Sequence, residues 1–148
     1  MKLGIAKFEY IDSRNLNDFG SVPPGSSISM SAFVKQGKSF SELPFTMGTA
    51  DLSEQWSTGS GGKASDASFS ASVRADRMRY RPILQQLVGK KCIFRVTLVS
   101  GERCIIGSPL FVPTFSFDEN VSGISSSEFS ISVKNRSRHG ILYDSDSL

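Results

Sequence analysis

The sequence is poor in the residue types that most metal sites and disulfide frameworks require. Its 148 residues include two cysteines and one histidine, too few for a zinc site of ordinary ligand spacing or for a disulfide-rich scaffold. No stretch approaches the ~18 consecutive apolar residues of a membrane-spanning helix. The first ten residues carry Lys2, Lys7 and Glu9 without an apolar centre. We therefore expect neither a signal peptide nor a membrane span.

The excess of basic over acidic residues is also small. The 17 basic and 14 acidic residues give a net charge of +3. Only the arginines at positions 74, 77, 79 and 81 lie close together, whereas nucleic-acid binders usually combine a concentrated basic face with aromatic side chains for base stacking. We interpret these arginines as a solvated face beside a helix.

Small residues and phenylalanine are abundant. Serine occurs 27 times, glycine 13 times and phenylalanine 11 times. The phenylalanines can form a core, which a disordered chain of polar residues cannot. A chain of this length is typical of one domain, so we expect residues 1–148 to form a single β-rich domain.

Alternation of apolar and polar residues dominates the sequence and predicts half-buried antiparallel strands. The predicted fold class is therefore mainly β, an antiparallel β-sandwich or barrel with one short packed α-helix at about residues 76–88. The predicted strands, of which the first and third are the weakest, cover residues 3–10, 27–34, 40–47, 68–74, 94–99, 111–117 and 129–134.

The predicted helix is bounded by residues that favour helix ends. Asp76 is a suitable N-cap, Pro82 is compatible with an early turn, and Gly89 follows the last apolar position. Because the helix is short, it must be held by packing on the sheet. Its expected apolar face consists of Ile83, Leu84, Leu87 and Val88.

A hairpin with a glycine-containing turn is the clearest local pattern. We expect Val99 to pair with Arg103, which places Leu98 opposite Cys104. Cys92 then lies roughly 20 Å away along its strand, beyond the ~7 Å that a disulfide allows, so both thiols should be free. The expected core residues are Leu84, Leu87, Phe94, Val96, Leu98, Ile106, Phe115 and Ile131.

Two segments have the composition of loops. Residues 47–66 are rich in glycine and serine, so we expect a long loop there, and a short C-terminal tail should begin at about residue 139. His139 is expected to be solvated. Trp56, inside the long loop, is interpreted as a packing anchor in preference to a platform for sugar stacking.

The sequence offers no pattern of catalytic residues. There is no nucleophile elbow, and the glycines and lysine of residues 57–63 lack the spacing of a phosphate-binding loop. We therefore expect a protein that is not an enzyme and has no catalytic residues, no metal and no cofactor.

The stretch from Leu84 to Tyr143 resembles structural proteins of bacteriophage tails. It contains a short helix ending at Leu87-Val88-Gly89, a basic hairpin over residues 90–108, a proline-flanked strand over 110–117, a Ser122-Gly123 loop and a final strand over 128–134. The resemblance implies a subunit of a tail tube or a tail-completion or head–tail connector protein, made in the host bacterial cytoplasm and located in the virion. The implied partners are further copies of itself, in rings or stacked rings, and other virion proteins, with transient passage of DNA without sequence-specific binding.

Two functions remain open. The leading one is a self-assembling structural subunit, and the alternative is a monomeric β-sandwich module that binds carbohydrate or another surface ligand. In the first, residues 47–66 form an assembly arm and Trp56 becomes buried in a neighbour. In the second, Trp56 is exposed among polar side chains. The candidate assembly contacts are Leu52, Trp56, Gly59, Gly61 and Gly62.

Overall fold

Ten strands and two α-helices make up the part of the chain that the structure describes. The computed structural model describes residues 4–20, 22–46, 48–59, 61–121 and 126–145. Within these residues, no helix is long and apolar enough to cross a bilayer. The elements are β1 (Ile5–Asp12), a 3-10 helix (Ser13–Asn15), β2 (Ser27–Ile28), α1 (Met30–Phe33), β3 (Ser41–Glu42), β4 (Asp51–Gly59), β5 (Gly62–Asp76), α2 (Arg77–Leu87), β6 (Cys92–Leu98), β7 (Arg103–Ile106), β8 (Thr114–Val121), β9 (Ser126–Ser137) and β10 (Leu142–Asp144).

The strands form two sheets. The larger has six strands in the order β2-β10-β7-β6-β1-β3, and the smaller has four in the order β4-β5-β9-β8. Neighbouring strands are antiparallel except for β10 and β2, which are parallel. The sheets pack on each other with α2 beside them, which confirms the prediction of a mainly β, sandwich-like fold with a packed helix.

The main core lies between the two sheets. Phe8 of β1 stacks on Phe69 of β5, with ring centroids 4.2 Å apart, and on Phe94 of β6 at 5.3 Å. These aromatic contacts join the sheets across the core. Seven of the eight predicted core residues are buried in this cluster, and Leu98 packs against its margin.

A second hydrophobic cluster covers the other face of the six-stranded sheet. Ile93 and Ile105 are fully buried and point away from the main core, because side chains alternate along β6 and β7. Leu16 and Met30, from the segment between β1 and β3, pack on them. The six-stranded sheet is therefore covered on both faces, whereas the four-stranded sheet keeps one face exposed.

Helix α2 begins as predicted but turns a different face to the core. The Asp76 side chain accepts a hydrogen bond from the Met78 N–H at 3.0 Å, which confirms the N-cap. The buried residues are Tyr80, Leu84 and Leu87, at spacings of four and three. Two residues of the predicted face are instead substantially exposed, since they lie on the solvent side of that stripe: Ile83 and Val88.

Two predicted strands are shorter in the structure. Residues 27–34 form β2 and then the single helical turn α1, because Met30 inserts into the second hydrophobic cluster. Alternation over so few residues does not distinguish a strand from one turn of helix. Residues 40–47 contribute only β3, which ends just before Leu43-Pro44.

The expected loop and tail also differ from the structure. Residues 51–59 and 62–66, in the expected Gly/Ser-rich loop, belong to the paired strands β4 and β5; residues 47 and 60 lie outside the described part of the chain. The expected C-terminal tail contains β10, which lies between β2 and β7. Strand β4 escaped detection because nearly all of it is exposed on both faces, so its sequence shows no apolar alternation.

The predicted hairpin forms with its pairing displaced by two residues. Thr97 pairs with Arg103 and Val96 with Cys104, because the turn is longer and the Leu98 N–H donates to the Glu102 carbonyl at 2.8 Å. A displacement of two leaves every side chain on its predicted face. Cys92 lies four residues from Val96, about 13 Å at 3.3 Å per residue, and both cysteines are free and buried as predicted.

Candidate interaction surface at the edges of the four-stranded sheet

Strand β4 is an edge strand of nine residues, and no other strand of the described part of the chain pairs with its outer side. It pairs with β5 in one unbroken register, from Asp51 opposite Ser70 to Gly59 opposite Gly62. Every residue of β4 is exposed except Leu52, which is half-buried against the core. The strand contains no proline, lysine or bulge, and its one charged side chain on the core side, an edge-protecting feature, is Glu54.

The hydrogen bonds of β5 show which backbone N–H and C=O groups of β4 face outward. The N–H and C=O of Ser72 bond to Thr49 and Thr46, which precede β4. Every second residue of an antiparallel strand bonds to a given neighbour, so even-numbered residues of β5 bond to odd-numbered residues of β4. The N–H and C=O groups at the open edge therefore belong to Leu52, Glu54, Trp56 and Thr58.

Strand β8 is the opposite edge of the same sheet. Odd-numbered residues of β9 bond to β5, so its even-numbered residues bond to even-numbered residues of β8. The backbone groups of the odd-numbered residues of β8, from Phe115 to Val121, therefore face outward. Strand direction alternates across the sheet, so β8 runs opposite to β4. Glu119 of β8 is paired with two arginines of α2, Arg77 at 2.9 Å and Arg81 at 3.4 Å.

The outer face of the four-stranded sheet carries hydroxyl-bearing side chains interspersed with charged ones. It faces away from the core, and its residues are exposed or half-buried. An ion pair between Asp66 and Arg136, 3.1 Å apart, lies toward one end. The hydroxyl-bearing residues of this face are Ser53, Ser57, Ser68, Ser70, Ser72, Thr114, Ser116, Ser130 and Ser132.

Trp56 packs on the chain's own C-terminal segment. Its indole Nε1–H donates to Glu54 Oε1 at 2.8 Å, and Glu54 Oε2 accepts from the Ile141 N–H. A Cβ added to Gly140 would lie 2.5 Å from the indole ring, and Gly140 has a φ of +69°. Only glycine fits this close approach. The indole is nevertheless 39 % exposed.

Two cavities flank the tip of the β4–β5 hairpin. The first, of about 490 Å³, is lined by Pro24, Trp56, Ser57, Thr58 and Lys63. The second, of about 430 Å³, lies between the glycines of the tip and the end of β9. Its walls include the aromatic Phe111 and three cations, Lys63, Arg136 and Arg138.

His139 is buried, contrary to the prediction that it is solvated. Its Nδ1 lies 2.6 Å from the Gly140 carbonyl oxygen, so Nδ1 carries the proton and Nε2 accepts from the Ser108 hydroxyl at 3.2 Å. The ring also packs edge-on against Phe111. Burial lowers the pKa of His139. The histidine thus supports the glycine on which Trp56 packs.

The predicted assembly contacts do not form one cluster. Leu52 packs against the main core, and Trp56 lies four residues further along β4, about 13 Å away at 3.3 Å per residue. Gly59 ends β4, Gly61 lies in the turn, and Gly62 begins β5 with a φ of +98° that requires glycine. Sequence reasoning missed the role of Glu54, because its partner Ile141 is 87 residues away.

Burial in the core makes the thiols of Cys92 and Cys104 unreactive. Burial raises the pKa of Cys92 and of Cys104 to about 11, so little thiolate forms at neutral pH.

Within the described residues, no group of three or more His, Cys, Asp or Glu side chains is placed to hold a metal ion. Comparisons of the chain with protein-family models, curated proteins and solved structures gave no match.

Proposed function

We propose that this protein is a non-enzymatic structural subunit that assembles with copies of itself in a phage virion, as part of a tail tube or a head–tail connector. The observation that carries this proposal is the four-stranded sheet with two open edges, β4 and β8. A long, regular edge strand is a template for pairing with another strand. The resemblance of residues 84–143 to tail proteins favours the same function.

The directions of the two edges favour head-to-tail association. Because β8 runs opposite to β4, pairing β8 of one copy with β4 of the next continues the antiparallel alternation across the contact. Such a contact uses different surfaces on the two copies, so it produces a closed ring or a filament. The hydroxyl-bearing outer faces would then form one continuous surface of the assembly.

The proposal is tested by the oligomeric state of a variant with one altered edge residue. Thr58→Pro removes an outward N–H and leaves the β4–β5 hydrogen bonds in place, because Thr58 faces the open edge. We expect the wild-type protein to form rings or tubes, and Thr58→Pro to remain monomeric with an unchanged circular dichroism spectrum. Light scattering and negative-stain microscopy measure the assembly.

Thr58→Val is the matched control, since it keeps the N–H and a β-branched side chain. It should assemble as the wild type does. The proposal is wrong if the wild type stays monomeric at all concentrations, or if the proline variant assembles normally.

The alternative function, a binding module for carbohydrate, is favoured by the cavity beside Trp56. The indole is oriented by Glu54, partly exposed and bordered by the hydroxyls of Ser57 and Thr58, and aromatic rings with nearby hydroxyls suit a sugar ring. Trp56 is the only tryptophan, so its fluorescence reports this site. A saturable change on titration with an oligosaccharide by a monomeric protein would favour this function over assembly.

A further inference from the structure

A cleft of about 340 Å³ lies between residues 30–40 and strands β6 and β7. Four cationic side chains line it: Lys35 and Lys38 from the covering segment, Arg95 from β6 and Arg103 from β7. Among the residues that the structure describes, those that line the cleft include no carboxylate. Neither the assembly edges nor the Trp56 cavity contributes to it.

Arg95 is held rigidly at the base of this cleft. Its Nε and Nη2 donate to the two carboxylate oxygens of Glu9 at 3.0 and 3.1 Å, and Nη1 donates to Asp144 at 3.2 Å. The Phe40 ring lies 4.1 Å from the guanidinium carbon. These hydrogen bonds use three of the five N–H groups, which leaves one on each Nη nitrogen for a ligand in the cleft.

The supporting carboxylates are buried beside apolar residues. The side chains of Glu9 and Asp144 are 7 % and 0 % exposed, within a layer that also contains Ile93 and Ile105. Burying such an ion network adds little stability over apolar residues of similar size. Its evident effect is to fix the guanidinium of Arg95, as a preorganised binding site requires.

The charge of the cleft matches a dianion. The four cations and the two buried carboxylates leave a net charge of +2. Outside the cleft, Lys7 and the exposed Glu42 flank Glu9 and offset each other. Guanidinium groups match the geometry of phosphate oxygens, and lysines add charge without a directional requirement.

We propose that this cleft binds a phosphate group, held by Arg95 and Arg103 and neutralised by Lys35 and Lys38. The phosphate could come from inorganic phosphate, from a small phosphomonoester or from a nucleic-acid strand. Three probes separate these sources: inorganic phosphate, phenyl phosphate and a short oligothymidylate. Each is titrated calorimetrically into the full chain at constant ionic strength.

Arg103→Gln and Lys38→Gln test the assignment. We expect each to weaken phosphate binding about tenfold, the loss typical of one charge-assisted hydrogen bond. Lys38 is exposed, so its substitution leaves the fold intact even if Arg103→Gln does not. Lys134→Gln, the same charge change on the outer face of the four-stranded sheet, is the matched control and should bind within twofold of the wild type.

The three probes also identify the source. A preference for phenyl phosphate over inorganic phosphate indicates a small phosphomonoester, and preferential binding of oligothymidylate, weakened in both Arg103→Gln and Lys38→Gln, indicates a nucleic-acid backbone. The proposal is overturned if the wild type binds none of the probes. It is equally overturned if Lys134→Gln weakens binding as much as Arg103→Gln, since the attraction would then be a general effect of charge.

Discussion

At the scale of single residues, hydrogen-bond partners explain the burial of three polar side chains of the interior, Glu9, His139 and Asp144. Glu9 and Asp144 are buried because Arg95 bonds to both. His139 is buried because its two ring nitrogens have partners in Gly140 and Ser108. Buried polar groups without such partners are costly, so each of these contacts restricts the arrangement of the surrounding chain.

The buried histidine predicts a pH dependence of stability. Burial lowers the pKa of His139 below its ordinary value of 6.5, so the unfolded chain binds the proton more readily than the folded one. Neutral His139 contributes fully to the free energy of unfolding above the pKa that this residue has in the unfolded chain. The contribution is lost as the pH falls through that value toward the pKa of His139 in the folded protein. We expect the melting temperature to decrease between about pH 7.5 and pH 5.5, as measured by thermal unfolding.

His139→Gln is the control for this effect, because His139 is the only histidine. The variant should be less stable at neutral pH and should lose most of the pH dependence in the same interval. An identical decrease in the variant would assign the effect to other groups.

The two cysteines predict a difference between folded and unfolded protein. Both thiols are buried, and burial raises the pKa of each to about 11. We expect negligible reaction with iodoacetamide in the folded protein at about pH 8. Denaturation without a reductant should expose two reactive thiols, counted by mass spectrometry. Absence of labelling after denaturation would show a disulfide and contradict the hairpin pairing.

At the scale of elements, β4 and α2 are stabilised in different ways. Helix α2 has a conventional N-cap and a buried stripe of Tyr80, Leu84 and Leu87. Strand β4 has almost no buried side chain and is held by its backbone pairing with β5 and by the contacts of Glu54 and Trp56. An isolated hairpin is marginal in water, so β5 and the C-terminal segment keep β4 in place.

The N-cap of α2 predicts a measurable loss of stability. Asp76→Ala removes the acceptor of the Met78 N–H and should reduce the free energy of unfolding by about 1 kcal/mol in urea denaturation. Asp76→Ser keeps a capping oxygen and should lie close to the wild type. Equal losses in the two variants would mean that the cap does not stabilise the helix.

At the scale of the whole molecule, the unequal covering of the two sheets is the main organising feature. Leu16, Met30 and their described neighbours between β1 and β3 cover one face of the six-stranded sheet, and the main core covers the other. The four-stranded sheet packs on the main core with one face only, and no described element covers its outer face, so it retains an exposed face and two edges. The phosphate cleft lies on the doubly covered sheet, which separates it from the proposed assembly edges.

The shared core predicts one cooperative unfolding transition. Phe8, Phe69 and Phe94 stack across both sheets, so neither sheet keeps its core without the other. We expect the midpoint from Trp56 fluorescence to coincide with that from far-ultraviolet circular dichroism, at a concentration where the protein is monomeric. A fluorescence midpoint at milder denaturing conditions than the circular dichroism midpoint would show that the β4–β5 hairpin opens separately.

The sequence by itself determined the β class, the main core, the N-cap at Asp76 and the free thiols. These features depend on the local alternation of side chains and on the preferences of helix ends, which are written in neighbouring residues. Even the displaced hairpin kept its predicted faces, because a shift of two residues preserves the alternation.

Only the tertiary structure decided the identity of β4, the burial of His139 and the cleft around Arg95. Strand β4 is held by pairing with β5 and by Glu54, whose partner Ile141 is 87 residues away. Arg95, Glu9 and Asp144 come from three separate strands. Contacts between residues so distant in the chain leave no local pattern, because they exist only after the sheets have brought the strands together.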